Sequence, residues 1–346
     1  MSLPDPSSQE TELWSDFPKL GEQTISVVAT AWHRRQFLRE AIASVQPAAG
    51  SPVEIVVAAS FHDEGLEREV RKRHGRWVLS REEGWGGKAA DGLRAARGSI
   101  IAFLDDDDLF HPGKIHEVQQ AFAEDPNLGF FHNAQLTFRD GEHPPFRSPL
   151  PRADRLRIPP TGRSKLDCQM AWNQGAGYNA SSVVVRRSLV EPFVAELRGI
   201  KMSGPPYLFY RAWCSSAALA IDYRPLTAVR FHSENATPTL IQGRRARFAR
   251  LASISPALSA DAKKILSFLP PDVWAIPVHQ MSSMAEIISA VNDEGEFPLP
   301  VAHAALELLR RRTTWLPRWT LLSLALVCLA SRRWARAVFE WMTTPA

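Results

Sequence analysis

An apolar segment that ends in four consecutive aspartates constrains this chain more than any other feature of its sequence. Residues Ile100–Leu104 are apolar and rich in branched side chains, and Asp105–Asp108 follow directly. Such a continuous apolar run is typical of a strand buried on both faces of a parallel sheet. Because burying unpaired carboxylates is very costly, the aspartates must lie at the carboxyl end of the strand, where open α/β sheets bind their ligands.

The four aspartates predict a metal site. Carboxylates packed this closely repel one another, and a hard divalent cation relieves the repulsion. After them, Pro112 suits a first helical turn, and Ile115, Val118 and Phe122 recur at helical spacing. The segment therefore predicts a strand, an acidic turn that holds a cation, and a helix.

Three other interpretations of the acidic run compete with the metal site. An EF-hand loop needs glycine at its sixth position, where this chain has Phe110. An aspartyl phosphatase would have a hydroxyl residue or valine shortly after the second aspartate, where Leu109 and Phe110 stand. A solvated acidic turn stays open, because runs of like charge usually lie on the surface.

The length, the cysteines and the N-terminal composition limit the class of protein. A length of 346 residues predicts about two domains. Cys168, Cys214 and Cys328 are scattered and form no CxxC pair, so a disulfide framework or zinc site is not indicated and a reducing compartment fits. The polar, acidic N-terminus is neither a signal nor a transit peptide, and residues 1–22 are expected to form a mobile tail.

Strands that alternate with helical patterns predict a mostly parallel sheet. The predicted strands are Ile25–Ala29, Glu54–Ala58, Arg76–Ser80, Ala180–Val185, Ile221–Tyr223 and Ala228–His232. Helices are predicted from about Gln36 onward, over Lys88–Arg97 and over Tyr207–Ala220.

Two connecting segments have unusual composition. Gly84, Gly86 and Gly87 predict a flexible loop before Lys88, where a lysine at a helix start meets phosphate, but a plain loop explains the glycines equally well. Their spacing fits neither a Walker loop nor a dinucleotide fingerprint. Arg139–Lys165 is rich in proline and arginine, which is typical of a functional lid or of disorder.

Four segments, in this order, resemble glycosyltransferase family 2 over roughly Thr24–Thr237. They are ISVVATAWHR, GLRAARGSIIAFLDDDDLFHPGKI, ASSVVVRRSLV and PLTAVRFHSENAT. The resemblance implies an α/β protein of the GT-A type, with a Rossmann-like, mostly parallel sheet flanked by helices and a C-terminal helical region. It implies a nucleotide-sugar-binding and catalytic domain over residues 23–245 and the helical region over 246–346.

The resemblance also implies residue roles in a metal-dependent transfer, with inversion, from a UDP- or GDP-sugar. Asp105 would hold the nucleoside side of the donor, and Asp107 would bind Mg²⁺ or Mn²⁺ through the diphosphate. His232 is either a further metal ligand or a buried, hydrogen-bonded histidine. The candidate catalytic residues are Asp105, Asp107, Asp108 and Glu196, and the candidate donor-binding residues are Thr30, Ala31, His33, Arg34, Ser60, Asp63, Gly84, Lys88, Asp105, Asp106 and Arg230.

Two positions depart from the family pattern. The place of a nucleobase-binding carboxylate reads Ala58–Ser60, with Asp63 the nearest acid, and Ser203–Pro206 holds no acid where the general base is usual. Transfer to a neutral hydroxyl needs a base. The acceptor is therefore an already anionic lipid phosphate, or Glu196 or Asp167 serves as base, or transfer activity has been lost.

The basic excess lies at the C-terminus. From Val301 onward the chain has seven arginines and two glutamates, against a net charge of +4 for the whole chain, so nucleic-acid binding by the main domain is not supported. Leu321–Ala330 is too short to span a bilayer, which takes about 20 apolar residues. The tryptophans and arginines around it suit a headgroup interface, or a helical subdomain packed on the sheet.

The leading hypothesis is therefore a glycosyltransferase at the cytoplasmic face of a membrane, with a lipid-linked or saccharide acceptor. A non-catalytic relative that acts as a binding or scaffolding partner is the rival hypothesis. A phosphoryl or nucleotidyl transferase shares the metal and phosphate chemistry but not the later motifs.

Overall fold

The structure, a computed structural model, describes residues 24–47, 53–150, 155–235 and 244–292. Within these ranges nine strands form one sheet. The strands are β1 (Ile25–Ala31), β2 (Val53–Ala59), β3 (Arg76–Leu79), β4 (Ile100–Asp105), β5 (Leu109–Phe110), β6 (Leu128–Arg139), β7 (Arg155–Ile158), β8 (Val183–Arg186) and β9 (Ala218–Phe231).

Helices cover both faces of this sheet. They are α1 (Arg35–Ser44), α2 (Glu64–Lys72), α3 (Trp85–Ala95), α4 (Lys114–Glu124), α5 (Lys165–Asn173), α6 (Arg187–Val190), α7 (Val194–Arg198), α8 (Gly204–Trp213), α9 (Arg244–Phe268) and α10 (Ile276–Asn292). Short 3₁₀ turns lie at Ala180–Ser182 and Glu191–Phe193.

The strand order is β3-β2-β1-β4-β8-β6-β9-β5, and β7 pairs with β9. The strands from β3 to β4 are parallel, whereas β8 pairs antiparallel with both β4 and β6. Thr30 at the end of β1 lies opposite Asp105 at the end of β4. The carboxyl ends of the two central strands therefore meet at one edge, as in other open α/β sheets.

Both faces of the central strands are buried, as the continuous apolar runs predict. Along β4, Ile101 and Phe103 belong to one hydrophobic core, and Ala102 and Leu104 belong to the other. Helices α3, α5 and α8 pack over the first core, and α1, α2 and α4 pack over the second. The strand that carries the aspartates is thus fixed between two packed layers.

The structure differs from the sequence predictions at several elements. Gly86 and Gly87 lie in the first turn of α3 and not in a loop. The predicted helix over Tyr207–Ala220 ends at Trp213, and the two strands predicted after it are one continuous strand, β9. The segment Arg139–Lys165, predicted to be a lid or disordered, contains strand β7, and the strand predicted from Ala180 starts at Val183.

The C-terminal helices of the described chain pack on the sheet layer. Ala262 and Ile265 of α9 and Val278 of α10 belong to the same core as α3 and α8, and α9 begins at Arg244, next to the predicted boundary. No helix within the described ranges is long and apolar enough to cross a bilayer. The basic segment from Val301 onward lies outside these ranges, so its membrane contact stays a prediction.

Candidate functional site

The acidic cluster, Asp105–Asp108, forms a tight turn at the carboxyl end of β4. Asp106 N donates a hydrogen bond to Thr30 O (3.1 Å), and Asp108 N donates to Asp105 O (3.2 Å). Asp106 is 0% exposed, and Asp107 and Asp108 are also buried. The solvated acidic turn considered above is therefore wrong, and the cluster must be neutralised within the protein.

Asp105 faces strand β1 and helix α3. Its Oδ1 accepts hydrogen bonds from Thr30 Oγ1 (2.8 Å) and from Trp85 Nε1 (3.1 Å). Burial, reinforced by the charge of Asp107, raises the pKa of Asp105 to about 7. Nothing in the sequence singled out Trp85, which lies between Gly84 and Gly86 and is the first residue of α3.

Asp108 points the other way, toward the residues that precede β8. Its Oδ2 accepts hydrogen bonds from Asn179 Nδ2 (2.8 Å) and Ser181 Oγ (2.6 Å). Burial and the neighbouring carboxylates raise its pKa well above the ordinary value. Asp108 thus joins β4 to the turn before β8. The polar stretch before the apolar run of β8 was the sequence signal that could have found its partners, Asn179 and Ser181.

The cation that faces the cluster is Arg34, from the turn between β1 and α1. Its Nη1 donates to Asp107 Oδ2 (2.5 Å), and its Nη2 donates to Asp106 Oδ1. The side chain is 9% exposed. Burial lowers the pKa of Arg34, but Asp107 and Asp106 outweigh it, and the net shift is upward. A forked, permanently charged guanidinium suits two adjacent carboxylates better than an ammonium does.

His232 closes the cluster from the end of β9. Its Nε2 lies 3.0 Å from Asp107 Oδ2 and 3.2 Å from Arg34 Nη1. The backbone N–H of Glu234 donates to Nδ1 (3.1 Å), so Nδ1 is an acceptor and the ring proton of a neutral His232 lies on Nε2. In that tautomer Nε2 donates to Asp107 and has no lone pair for a metal ion.

These contacts test whether the residues fit a divalent cation. Carboxylate and imidazole groups are suitable ligands for Mn²⁺, but the guanidinium of Arg34 lies between Asp106 and Asp107, and His232 carries its proton toward the same place. Among the described residues, no three His, Cys, Asp or Glu side chains are arranged to hold a metal ion. As arranged, the residues do not fit the ion, and Arg34 supplies the positive charge.

Arg230 supports the cluster from behind. Its guanidinium is 3% exposed, pairs with Glu40 and Asp140, and donates from Nε to Asp107 O (3.2 Å). It also lies over the ring of Phe37 at 4.5 Å. The structure thus gives Arg230 a set of protein partners, and a diphosphate contact by this residue stays a prediction.

Three further donor-binding candidates lie near the carboxyl ends of β1 and β2. His33 Nε2 is 3.3 Å from Glu234 Oε2, with both side chains exposed. Ser60 Oγ donates to Trp32 O (3.3 Å). Ala31, the last residue of β1, is buried. Ala31 and His33 lie at the carboxyl end of β1 and Ser60 at that of β2, and a donor contact by these residues stays a prediction.

The other donor-binding candidates have structural partners. Asp63 caps helix α2 by accepting from Leu66 N (3.0 Å), which lowers its pKa. Gly84 is the N-cap residue of α3. Lys88 is fully buried, its Nζ donates to Glu82 O, and burial lowers its pKa. A phosphate contact by Lys88 would require this hydrogen bond to break.

The two candidates for the missing general base, Glu196 and Asp167, contact residues outside the acidic cluster. Glu196 pairs with Arg211, whose guanidinium lies 3.7 Å from the ring centroid of Phe268. Asp167 forms a capping box with Ser164 at the start of α5, and backbone and side-chain hydrogen bonds from Ser164 lower its pKa. Neither contact brings a carboxylate to the acidic cluster.

A carboxylate from α9 caps the segment that lacks the expected acid. Asp261 is fully buried, and its oxygens accept from the backbone N–H groups of Lys201 (3.0 Å), Met202 (2.7 Å) and Ser203 (2.9 Å). These donors precede helix α8. No sequence signal could have found this residue, because it lies 58 positions beyond Ser203 in an ordinary helical pattern.

Asp261→Ala is expected to lower the free energy of unfolding by about 2–3 kcal/mol, because it leaves three backbone N–H groups, that of the buried Ser203 among them, without their acceptor. Urea denaturation measures this loss. Glu286→Ala is the matched control, since Glu286 forms a surface pair with Lys263 (2.8 Å) worth at most about 1 kcal/mol. Equal losses in the two variants would contradict the capping role.

Comparison with known proteins identifies the family of one segment of this chain. Residues 26–187, slightly under half of the chain, match the sequence model of Glycosyl transferase family 2. This segment belongs to glycosyl transferase family 2. It holds the whole acidic cluster with Thr30, Arg34 and Asn179, whereas Arg230 and His232 lie beyond it.

Curated relatives match a short part of the chain. An uncharacterised glycosyltransferase of Nostoc sp. is 25% identical over 118 residues, 32% of this chain and 37% of that protein. One from Rickettsia conorii is 34% identical over 119 residues, 33% of this chain and 20% of that protein. The chain thus aligns with well under half the length of either relative.

Solved structures show the fold of this chain. S. aureus TarS 1-349 has a TM-score of 0.54 at 13% identity, covering 92% of this chain and 91% of that one. The same protein in complex with UDP-GlcNAc has a TM-score of 0.50 at 11% identity. The predicted α/β architecture of the GT-A type is therefore confirmed.

Proposed function

We propose that this chain is a glycosyltransferase that uses a nucleoside-diphosphate sugar as donor. The observation that carries the proposal is the buried acidic cluster, joined to strand β1 through Thr30 and Arg34 inside a family 2 segment. TarS, which shares the fold, has been solved in complex with UDP-GlcNAc. The donor is therefore proposed to be a UDP- or GDP-sugar.

The residues around the cluster suggest a division of roles. Asp105 and Thr30, at the β1 edge, would bind the nucleoside. Arg34 would turn from the carboxylates toward the diphosphate, whose negative charge grows as the glycosidic bond breaks. A positioned cation stabilises such a leaving group. In this account the charge comes from the chain's own guanidinium.

Metal dependence is a further proposal, and it requires two side chains of the site to rearrange. Mg²⁺ or Mn²⁺, held through Asp107, would neutralise a diphosphate leaving group. The ion requires Arg34 to leave the carboxylates and His232 to move its proton to Nδ1. We therefore assign no step of the transfer to a metal.

For the acceptor we propose only a chemical class, and for the location only a membrane surface. The described residues place no acid at Ser203–Pro206, so direct displacement with inversion would proceed on an already anionic acceptor, such as a lipid phosphate, or with a base from the acceptor side. The arginine- and tryptophan-rich segment after Val301 would keep the enzyme on the inner face of a membrane.

Nucleotide binding tests the proposal. Asp105→Asn is expected to weaken the binding of UDP or GDP by about tenfold or more, since a hydrogen bond to a charged group contributes about 1.5–3 kcal/mol. Calorimetric titration with each nucleotide measures it. Asp272→Asn, at an exposed position between α9 and α10, is the control. If neither UDP nor GDP gives heat with the unchanged chain, the proposed donor site is refuted.

The rival proposal is a relative that keeps the fold as a binding or scaffolding partner. It is favoured by the non-acidic segments Ala58–Ser60 and Ser203–Pro206. Nucleotide binding with neither donor hydrolysis nor transfer would support this rival, whereas hydrolysis of a nucleotide sugar that is lost in Asp105→Asn would support the enzyme.

A further inference from the structure

A fully buried lysine lies outside the set of residues proposed to bind the donor. Lys114 is the first residue of helix α4, and its side chain is buried completely. Burying an ammonium group costs free energy, and in the first turn of a helix the macrodipole also disfavours a positive charge. Replacing a buried charge by an apolar residue is often neutral or stabilising, so the partners of this ammonium group indicate its role.

Two hydrogen bonds and an aromatic ring surround the ammonium group. Lys114 Nζ donates to Ser181 O and to Thr227 Oγ1 (2.9 Å), and it lies 3.9 Å from the centroid of the Phe110 ring. Asn133 Nδ2 donates to the same threonine hydroxyl (2.9 Å), which in turn donates to Ser181 O (3.1 Å). The carbonyl of Ser181 is therefore held by two donors, one from α4 and one from β9.

The side chain of Ser181 connects two members of the acidic cluster. Asp105 N donates to Ser181 Oγ (2.9 Å), and Ser181 Oγ donates to Asp108 Oδ2 (2.6 Å). Ser181 lies in the 3₁₀ turn before β8 and is fully buried. Because a close-packed interior leaves such a residue little room to adjust, the place of its hydroxyl group depends on the place of its carbonyl. Lys114 thus acts on both aspartates through one residue.

The position of Asp105 decides whether its carboxylate keeps both of its donors. Asp105 Oδ1 accepts from Thr30 Oγ1 (2.8 Å) and from Trp85 Nε1 (3.1 Å), which belong to β1 and α3. Hydrogen bonds weaken steeply as their geometry departs from the optimum, so a small displacement of Asp105 would weaken these contacts. The indole N–H of Trp85 therefore reports where Asp105 lies.

We propose that Lys114 is a positioning residue of the donor site. It fixes the carbonyl of Ser181, and through the hydroxyl group of Ser181 it keeps Asp105 and Asp108 in the arrangement that binds the nucleoside-diphosphate sugar. The proposal rests on the proposed glycosyltransferase function, because it assigns a role in that donor site. Binding side chains that are locked by further hydrogen bonds hold a ligand more precisely than unsupported ones do.

Lys114→Met tests this role in the full chain, because it removes the ammonium group and keeps an unbranched side chain. The ¹H–¹⁵N resonance of the Trp85 indole, assigned with Trp85→Phe, is expected to move upfield as its hydrogen bond to Asp105 weakens. The dissociation constants for UDP and GDP, measured by calorimetric titration, are expected to rise about tenfold, as they do when residues that orient metal ligands are lost.

Arg163→Met is the matched control. Arg163 is another cation that is partly buried and donates to backbone carbonyl groups, in its case at the C-terminal end of α8 and in the turn that follows. Its loss is expected to lower the stability of the chain and to leave the Trp85 resonance and the nucleotide affinities unchanged. The control therefore separates the positioning of Asp105 from a general loss of stability.

Two further variants keep the test decisive. Lys114→Gln retains an N–H donor and is expected to give a smaller shift in the same direction, and it serves as the test if Lys114→Met does not fold. Ser181→Ala removes the hydroxyl group that links Lys114 to the aspartates. Adding a Lys114 substitution to Ser181→Ala should then change nucleotide affinity little further, because the two residues act in series.

A shifted Trp85 resonance with weaker nucleotide binding in the Lys114 variants, and neither change in Arg163→Met, supports the proposal. An unshifted resonance in the Lys114 variants overturns it, and so does an equal shift in Arg163→Met or an unchanged nucleotide affinity. If the unchanged chain binds neither nucleotide, the donor site and this role in it are both refuted. A shifted resonance would in that case leave Lys114 as a structural support of Asp105 only.

Discussion

Arg34→Ala is expected to lower the free energy of unfolding by about 3–5 kcal/mol at neutral pH, the loss that follows when one partner of a buried ion pair is removed. Arg34 is the cation that pairs with Asp106 and Asp107. Without it, two buried carboxylates lose their ion pairs, and Asp107 keeps the contact with His232 and Asp106 the hydrogen bond from Trp32 N (3.0 Å). Urea denaturation in the presence of EDTA measures the change.

Two variants make the Arg34 result specific. Arg35→Ala removes the next arginine, which forms an exposed pair with Asp63 (3.2 Å) and should cost at most about 1 kcal/mol. Arg34→Lys keeps one positive charge but loses the fork that reaches two carboxylates, so its stability should fall between those of Arg34→Ala and the unchanged chain. Equal stability of Arg34→Ala and the unchanged chain would refute the role given to this guanidinium.

Addition of Mn²⁺ extends the same experiment to the metal question. A divalent cation that enters the place left by Arg34 stabilises the folded state by mass action. Millimolar Mn²⁺ should therefore raise the stability of Arg34→Ala and leave that of the unchanged chain nearly the same. An equal gain in both proteins would show that the ion binds without displacing Arg34.

The position of the acidic cluster could be predicted because it depends on local sequence. A continuous apolar run fixes β4 as a buried strand, and the charge that follows must leave the core at its end. The same argument predicted β1 and β2, whereas the helical spacing of Ile115, Val118 and Phe122 predicted helix α4. The register that sets Thr30 opposite Asp105 follows from the parallel pairing of these strands.

The contacts that neutralise the cluster could not be predicted, because they come from side chains distant in sequence. His232 lies 125 positions from Asp107, and Arg34 lies 73 positions from it. Arginine in a strand-to-helix turn is normally an exposed cation, and only the folded turn directs it inward.

The glycine-rich segment shows how tertiary packing overrides local propensity. Glycine disfavours helices, so Gly86 predicts a loop. In the structure a side chain at Gly86 would come within 2.0 Å of Leu197 O, because α3 packs directly against the C-terminal turn of α7. The glycine is needed for this close approach, and the helix forms despite its propensity.

The second large effect concerns pH. Burial raises the pKa of Asp105 to about 7 and that of Asp106 to about 6, from 3.8 in an unfolded chain. A carboxyl group whose pKa is higher in the folded state binds its proton more tightly there. Its contribution to stability is therefore complete below about pH 4 and is lost as the pH rises to about 7.

Other titratable groups change the stability in the opposite direction, so a comparison of two proteins is needed to isolate the contribution of Asp105. Burial lowers the pKa of His132 from 6.5 to about 4, which makes the folded state more stable as the pH rises over that interval. Asp105→Asn removes one raised carboxyl group and leaves His132 unchanged. The difference between the two proteins then reports Asp105 and its coupling to the neighbouring carboxylates.

The unchanged chain should lose on the order of 4 kcal/mol of stability relative to Asp105→Asn between pH 4 and pH 8, from a shift of about three pKa units at about 1.4 kcal/mol each. Urea denaturation at several pH values, with EDTA present, measures this difference. Asp63→Asn is the control with the opposite sign, because the hydrogen bond from Leu66 N lowers the pKa of Asp63. The stability of Asp63→Asn should fall below that of the unchanged chain as the pH rises through the acid range, and the difference should stay constant above pH 5. A flat difference for Asp105→Asn would mean that water or a bound cation already stabilises the charged carboxylate in the folded protein.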